Sequence, residues 1–203
     1  MRAVVTEADV PSQGELWIAE GSIVTMAARE KAAAMGVRLV EAPAGEISGM
    51  APPARTVAIG SDHGGFRLKQ ELLPVLASCG VTARDVGVHA ETPADYPDIA
   101  VAVADLVAGG AAARGIVVDG AGIGSSMAAN KVAGVRASLC WDQASAKNAR
   151  EHNDANVLTL GGRLLTASQA EAIVRTWLAT PFAGGRHQAR VDKIMAIEER
   201  GRS

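Results

Sequence analysis

A carboxylate at the end of an aliphatic run, followed at once by alternating glycines, suits proton transfer beside a developing negative charge. That pattern stands at GIVVDGAGIG, residues 115–124. Asp119 would sit on the lip of a buried strand. Gly120, Gly122 and Gly124 would let the backbone close on a ligand, with the free amides of the next helix aimed at it. A second carboxylate, in Ser61-Asp62-His63-Gly64-Gly65, follows an earlier strand in the equivalent place. Asp62 there is either a ligand of something bound on the same rim or a helix cap. His152-Asn153-Asp154 closes a helix, where a histidine also serves as a partner of the helix dipole. In GGRHQAR, Arg186 and Arg190 stand four apart at a helix start, as phosphate recognition requires and as a solvated surface pair also allows. Tyr96 lies in a proline-containing loop, free to bond a ligand or to pack.

These groups need a scaffold that brings strand ends together, and the hydrophobic periodicity supplies one. From Thr56 onward, strand-like and helix-like segments alternate. TVAIGS, VTARDVGV, GIVVDG, VRASLCW and NVLTLGGRLL read as strands, each but the last separated from the next by a single helix. Such alternation demands right-handed crossovers and a parallel sheet. The expected fold is α/β: a three-layer αβα Rossmann-like sandwich with a five-stranded parallel sheet, plus a small N-terminal arm. We divide the chain into an extension at 1–41, a Pro/Gly/Ala/Ser-rich linker at 42–55 and the main domain at 56–203. In the extension Thr25 reads as the N-cap of a helix, Gly36 as its stop, and a short strand follows.

Composition narrows the function classes. The net charge of −2 gives no electrostatic motive for nucleic-acid or membrane binding. The two cysteines, Cys79 and Cys140, lack the spacing of a disulfide framework or a zinc site. No signal peptide follows Met1, and the aliphatic stretch at 99–118 is broken by Asp105, Gly109, Gly110 and Arg114, so a cytoplasmic protein is expected. Met127 and the three tryptophans, Trp17, Trp141 and Trp177, are expected in cores or interfaces. The glycine turn is not a dinucleotide fingerprint, since Met127 replaces the third glycine, and it lacks the lysine of a P-loop.

Five segments taken together resemble the ribose-5-phosphate isomerase B family, which includes the galactose-6-phosphate isomerase subunits. They are IGSDHGGFRLK (59–69), ADYPDIA (94–100), GIVVDGAGIGSSMAANKVAGVRA (115–137), REHNDANVLTLGGR (150–163) and GGRHQARV (184–191), in the family's order and spacing. The resemblance implies an aldose–ketose isomerase that moves a proton between C1 and C2 of a sugar phosphate through a cis-enediolate. It implies that Asp62 holds hydroxyls or moves protons between oxygens, that His152 helps open the furanose, and that Asn153 lies near the enediolate oxygen. The backbone from Gly120 through Ala121 and Gly122 to Gly124 would stabilise the oxyanion. Arg186, Arg190, His63 and Arg163 would take the phosphate, and Tyr96 would line the sugar pocket. A homodimer or dimer of dimers sharing its sites is implied as well, with neither cofactor nor metal.

The chain departs from this pattern at the reacting centre. Asp119 occupies the place of a cysteine base, Ser125 that of the glutamate other members use, and Ala121 that of a hydroxyl residue. We expect Asp119 to serve as the C–H base, with Ser125 among the substrate-binding residues and Ser126 in reach to replace the missing hydroxyl. Ribose 5-phosphate is the leading substrate, among four- to six-carbon sugar phosphates. The alternative from another class is a sugar-phosphate-binding or structural subunit without turnover. The extension resembles N-terminal segments of some bacterial microcompartment enzymes, which implies a shell or scaffold partner. An arm packed on its own dimer is the other reading.

Overall fold

The computed structural model describes residues 4–5, 10, 15–19, 21, 23–42 and 55–200. The chain divides into two units, Met1–Ala54 and Arg55–Ser203. The first contains more strand than expected. Beside helix α1 (Met26–Ala34) it holds β1 (Val4–Val5), β2 (Glu15–Ala19), β3 (Ile23–Val24) and β4 (Arg38–Ala42). β1 pairs with β3 and β2 with β4, both parallel. Thr25 caps α1 through its hydroxyl, which accepts from the amide of Ala28 at 3.3 Å, and Gly36 follows the helix at φ 66°. Val10, Ile18, Ala28, Ala32 and Val37 form a small core of this unit's own. The expected linker at 42–55 begins and ends in strand residues, and 43–54 lies outside the described residues.

The second unit runs β5 (Arg55–Ser61), α2 (Phe66–Ser78), β6 (Val81–Asp85), α3 (Tyr96–Ala108), β7 (Arg114–Asp119), α4 (Ile123–Ala129), β8 (Ala137–Leu139), α5 (Gln143–Asn153), β9 (Val157–Gly161), α6 (Ala167–Ala179) and α7 (Gln188–Arg200). Its five strands are all parallel, in the order β6-β5-β7-β9-β8. Continuous aliphatic runs make this possible, because a strand covered on both faces needs no polar side. Ile116, Val117 and Val118 of β7 are each fully buried. Leu68, Leu72 and Leu76 recur every four residues along α2 and pack with Trp177 of α6 and with α5 on one face of the sheet. Ala100, Val103 and Ala104 of α3 and Ala129 of α4 fill the other. This is the three-layer αβα sandwich expected from the alternation.

The chain leaves β5 to one side for β6, then crosses back to place β7 on the other side of β5. A crevice therefore opens where the C-terminal ends of β5 and β7 diverge. Two glycines permit the approach of backbone to backbone there. A Cβ on Gly65 would stand 2.0 Å from the carbonyl oxygen of Val118, and one on Gly162 2.9 Å from Gly65 Cα. Gly65→Ala is accordingly expected to destabilise the domain by about 3 kcal/mol, because main chain has to move. A urea titration of the variant reads this as a lowered midpoint.

Several elements differ at their ends from expectation. Tyr96 is the first residue of α3 rather than part of the loop, since Pro97 is tolerated in a first helical turn. β8 holds only three residues. Trp141 is 66% exposed and Met127 64%, so neither is a core residue of the protomer, whereas Trp177 is fully buried, with the guanidinium groups of Arg114 and Arg150 5.2 and 5.8 Å from its ring centre.

Candidate active site

The rim of the crevice gathers Asp62, His63, Tyr96, Asp119, the glycine turn and Arg163. β5 and β7 are paired with Ser61 opposite Val118, which sets Asp62 beside Asp119 at the strand ends. Asp62 is nearly buried. One of its carboxylate oxygens accepts from the amide of Gly65 at 2.9 Å, and its other oxygen has no partner among the described residues. It thus fulfils the capping role and keeps an acceptor for a ligand. His63 is exposed and its Nδ1 accepts from the amide of Ala94 at 3.4 Å, which leaves Nε2 without a partner among the described residues. The phenol of Tyr96 lies over Gly124, close enough that a Cβ there would meet its ring at 2.5 Å. The stem of Arg163 lies over Gly120 in the same way, at 3.6 Å from a Cβ placed there. Small residues in the turn thus make room for the side chains around it.

Lys69 supports this rim from below, a role the sequence did not disclose. Fully buried, its ammonium bonds both oxygens of Asp85 at 2.8 and 2.7 Å and the carbonyl of Val88 at 2.6 Å. The clamp ties the end of β6 to the loop that leads to Ala94 and Tyr96. Removal of one member of such a buried pair strands the other charge.

Asp119 corrects the picture of an open base. Only 4% exposed, its carboxylate accepts from four donors. One oxygen takes the amides of Ala121, at 2.7 Å, and Gly122; the other takes the amide of Ser125, at 3.0 Å, and the Ser125 hydroxyl. A carboxylate has about four lone-pair positions, so all are engaged. Ser125 is itself completely buried. The turn is also pinned through the Gly122 carbonyl, which accepts from the Thr159 hydroxyl at 2.9 Å. The amides of Ala121 and Gly122 were expected to face an oxyanion; they face Asp119 instead. Those of Ile123 and Gly124, at the start of α4, are the donors left for a ligand. The backbone nitrogen of Ile123 was missed because its side chain carries no chemistry.

The remaining expected residues lie elsewhere in the protomer. Val157 pairs with Gly115 at the start of β7, and Gly161 with Asp119 at its end. Helix α5 runs back antiparallel to the strands, so His152 and Asn153 in its last turn are at the N-terminal edge of the sheet. About 13 Å of strand separates that edge from the rim. There the rings of His152 and His187 stack at 4.2 Å and 6°, and Asn148 Nδ2 is 2.9 Å from His152 Nδ1. Arg186, in a 3₁₀ turn at Gly185–His187, directs Nε to His187 Nε2 at 3.4 Å, and Arg190 follows in the first turn of α7. Asp154, in the left-handed region at φ 45°, ends α5 and bonds Arg150 at 2.7 Å and Arg136 at 3.1 Å, which locks the backbone just after Asn153. Asn153 borders two adjoining clefts of about 220 and 380 Å³. Burial, together with the charges of His152, Arg186 and Arg190, holds His187 below the usual histidine range, with Glu151 opposing.

One protomer thus carries the expected residues in two groups, at opposite edges of the sheet. The rim has carboxylates, helix-start amides and cations suited to a polyhydroxylated anion undergoing proton transfer. The opposite edge has a histidine, an amide and two exposed arginines suited to a sugar ring and its phosphate. Fold and residues together define a sugar-phosphate isomerase of the αβα class. Residues 57–194 match the family model described as Ribose/Galactose Isomerase, and the chain belongs to that family. It is 46% identical over 146 residues to ribose-5-phosphate isomerase B of Escherichia coli, covering 72% of this chain and 98% of that protein. Among solved structures it is similar to ribose-5-phosphate isomerase B of Clostridium thermocellum, with 48% identity, a TM-score of 0.70 and coverage of 71% and 98%. The enzyme of Mycoplasma genitalium, solved with bound ribulose-5-phosphate, is 41% identical with a TM-score of 0.68, covering 71% and 96%.

Proposed function

We propose that this protein interconverts ribose 5-phosphate and ribulose 5-phosphate. The observation that carries the reading is the presence of both half-sites within a chain that spans nearly the full length of ribose-5-phosphate isomerase B relatives. A pentose phosphate cannot reach from one edge of a packed sheet to the other. The site is therefore completed between two copies, the rim of one protomer meeting the His152–Arg190 edge of its partner in an isologous dimer. Exposed Ile123, Met127 and Trp141 beside the rim favour such an association.

In this arrangement Arg186 and Arg190 hold the phosphate with His63 and Arg163, and Tyr96 lines the sugar. With Nδ1 of His152 accepting from Asn148, Nε2 carries the ring's proton; it gives that proton to the ring oxygen as the C1–O4 bond breaks and takes the proton of the anomeric hydroxyl in its place. Asp119 then takes the C2 proton. For that its carboxylate needs one free lone pair, and the only rotatable donor on it is the Ser125 hydroxyl. Turning that O–H toward the substrate exposes the acceptor and supplies a donor to the sugar oxygen in the same movement. The amides of Ile123 and Gly124 hold the enediolate, with Asn153 close by. Asp62 carries the hydroxyl proton from O2 to O1, and Asp119 returns its proton to C1, which balances the reaction.

The saturation of Asp119 favours a second reading, a sugar-phosphate-binding subunit without turnover. Proton NMR with ribose 5-phosphate in D₂O separates the two. Ribulose 5-phosphate carrying deuterium at C1 is the expected product. Binding without product or exchange would establish the second reading, or a sugar phosphate of another length. For the N-terminal unit we propose a docking role toward a shell or scaffold protein, in the cytoplasm or within a bacterial microcompartment.

A further inference from the structure

We propose that His187 is a positioning residue that couples the phosphate arginine Arg186 to the ring-opening histidine His152. The inference rests on the isomerase reading above. Gly184 and Gly185, at φ 60° and 53°, throw the chain into the short turn that drives the His187 ring inward. The ring is 7% exposed, whereas Arg186 and Arg190 on either side of it are exposed. Its face covers the His152 ring at 4.2 Å, with the planes 6° apart. Its edge accepts from Arg186 Nε at 3.4 Å. On the far side Asn148 holds Nδ1 of His152 at 2.9 Å. His152 is thus fixed in plane by one neighbour and in rotation by the other, so Nε2 has one direction left.

The stack also decides where charge resides. The groups facing His187 are His152 and Glu151 from α5, Arg186 from its own turn and Arg190 from α7; burial and the neighbouring positive groups hold it below the usual histidine range, with Glu151 opposing. A neutral, apolar face against His152 leaves that ring alone to exchange protons with the sugar.

His187→Ala and His187→Phe test the coupling. Phenylalanine keeps the stacked face but accepts nothing from Arg186. It should leave kcat within about 3-fold and raise KM about 3- to 10-fold. Alanine removes both contacts and should lower kcat about 10- to 100-fold. With [2-²H]ribose 5-phosphate, its primary isotope effect should fall toward 1, because ring opening then limits the rate. Wild-type kcat and isotope effect in His187→Ala, or equal slowing in both variants, would overturn the proposal. Imidazole ¹⁵N spectra give a readout independent of turnover. His152 should occupy one tautomer in the wild type and in His187→Phe, and average between two in His187→Ala. That averaging in His187→Ala, beside a single tautomer in a wild-type protein that lacks isomerase activity, would uphold the positioning and refute the isomerase reading. An unchanged His152 spectrum in His187→Ala overturns the positioning itself.

Discussion

Asp119→Asn is expected to lower turnover about 10²- to 10⁴-fold while sugar-phosphate binding stays within a few-fold. The reasoning starts from the four donors on the native carboxylate. The asparagine oxygen can still accept from Ala121 and Gly122, and its amide can donate to the Ser125 hydroxyl. Only the amide of Ser125 loses its acceptor, a loss of about 1–3 kcal/mol for a buried donor. The turn, and with it the amides of Ile123 and Gly124, should survive. What disappears is the capacity to take a proton from C2. Steady-state kinetics and a binding titration with ribose 5-phosphate read the two effects separately. Turnover within tenfold of wild type would assign Asp119 to the turn alone and move the base to another group on the rim. Asp62 is the nearest such group, with an oxygen still unpartnered among the described residues. Asp119→Cys adds a useful contrast, since a thiol is the base that the family resemblance implies at this place.

The second large effect is a recovery. Asp62→Asn damages the rim half-site and His152→Asn the opposite edge, and each homodimer alone should lose about 10²-fold or more of its activity. After the two are unfolded together and refolded at equal concentrations, half of the dimers should be mixed. Each mixed dimer has one site with both lesions and one with neither, so about a quarter of wild-type activity should return. No recovery, with mixed dimers demonstrated by mass spectrometry, would place both half-sites of a functional centre within a single chain and contradict the shared site. The experiment needs no knowledge of where the two protomers touch.

The sequence by itself was enough for the layer architecture and for the rim. Uninterrupted aliphatic strands separated by single helices admit few arrangements, and glycine-rich turns after β5 and β7 mark the crevice, because both patterns are local. Asp62, Asp119 and the turn at 120–124 were legible for that reason. The separation of His152, Asn153, Arg186 and Arg190 from them was not, since spacing along a chain does not say at which end of a sheet a helix finishes. The direction of α5 decided it, and put those four residues at the edge of the sheet opposite the rim. Nor could spacing show that Asp119 spends every lone pair on its own turn, because those bonds exist only once the strand end, the αL glycine and Ser125 are folded together. His187 and Lys69 escaped notice for the same cause. Each carries meaning through what it touches, a stacked ring 35 residues away in one case and the carboxylate of β6 in the other, and packing alone creates those contacts.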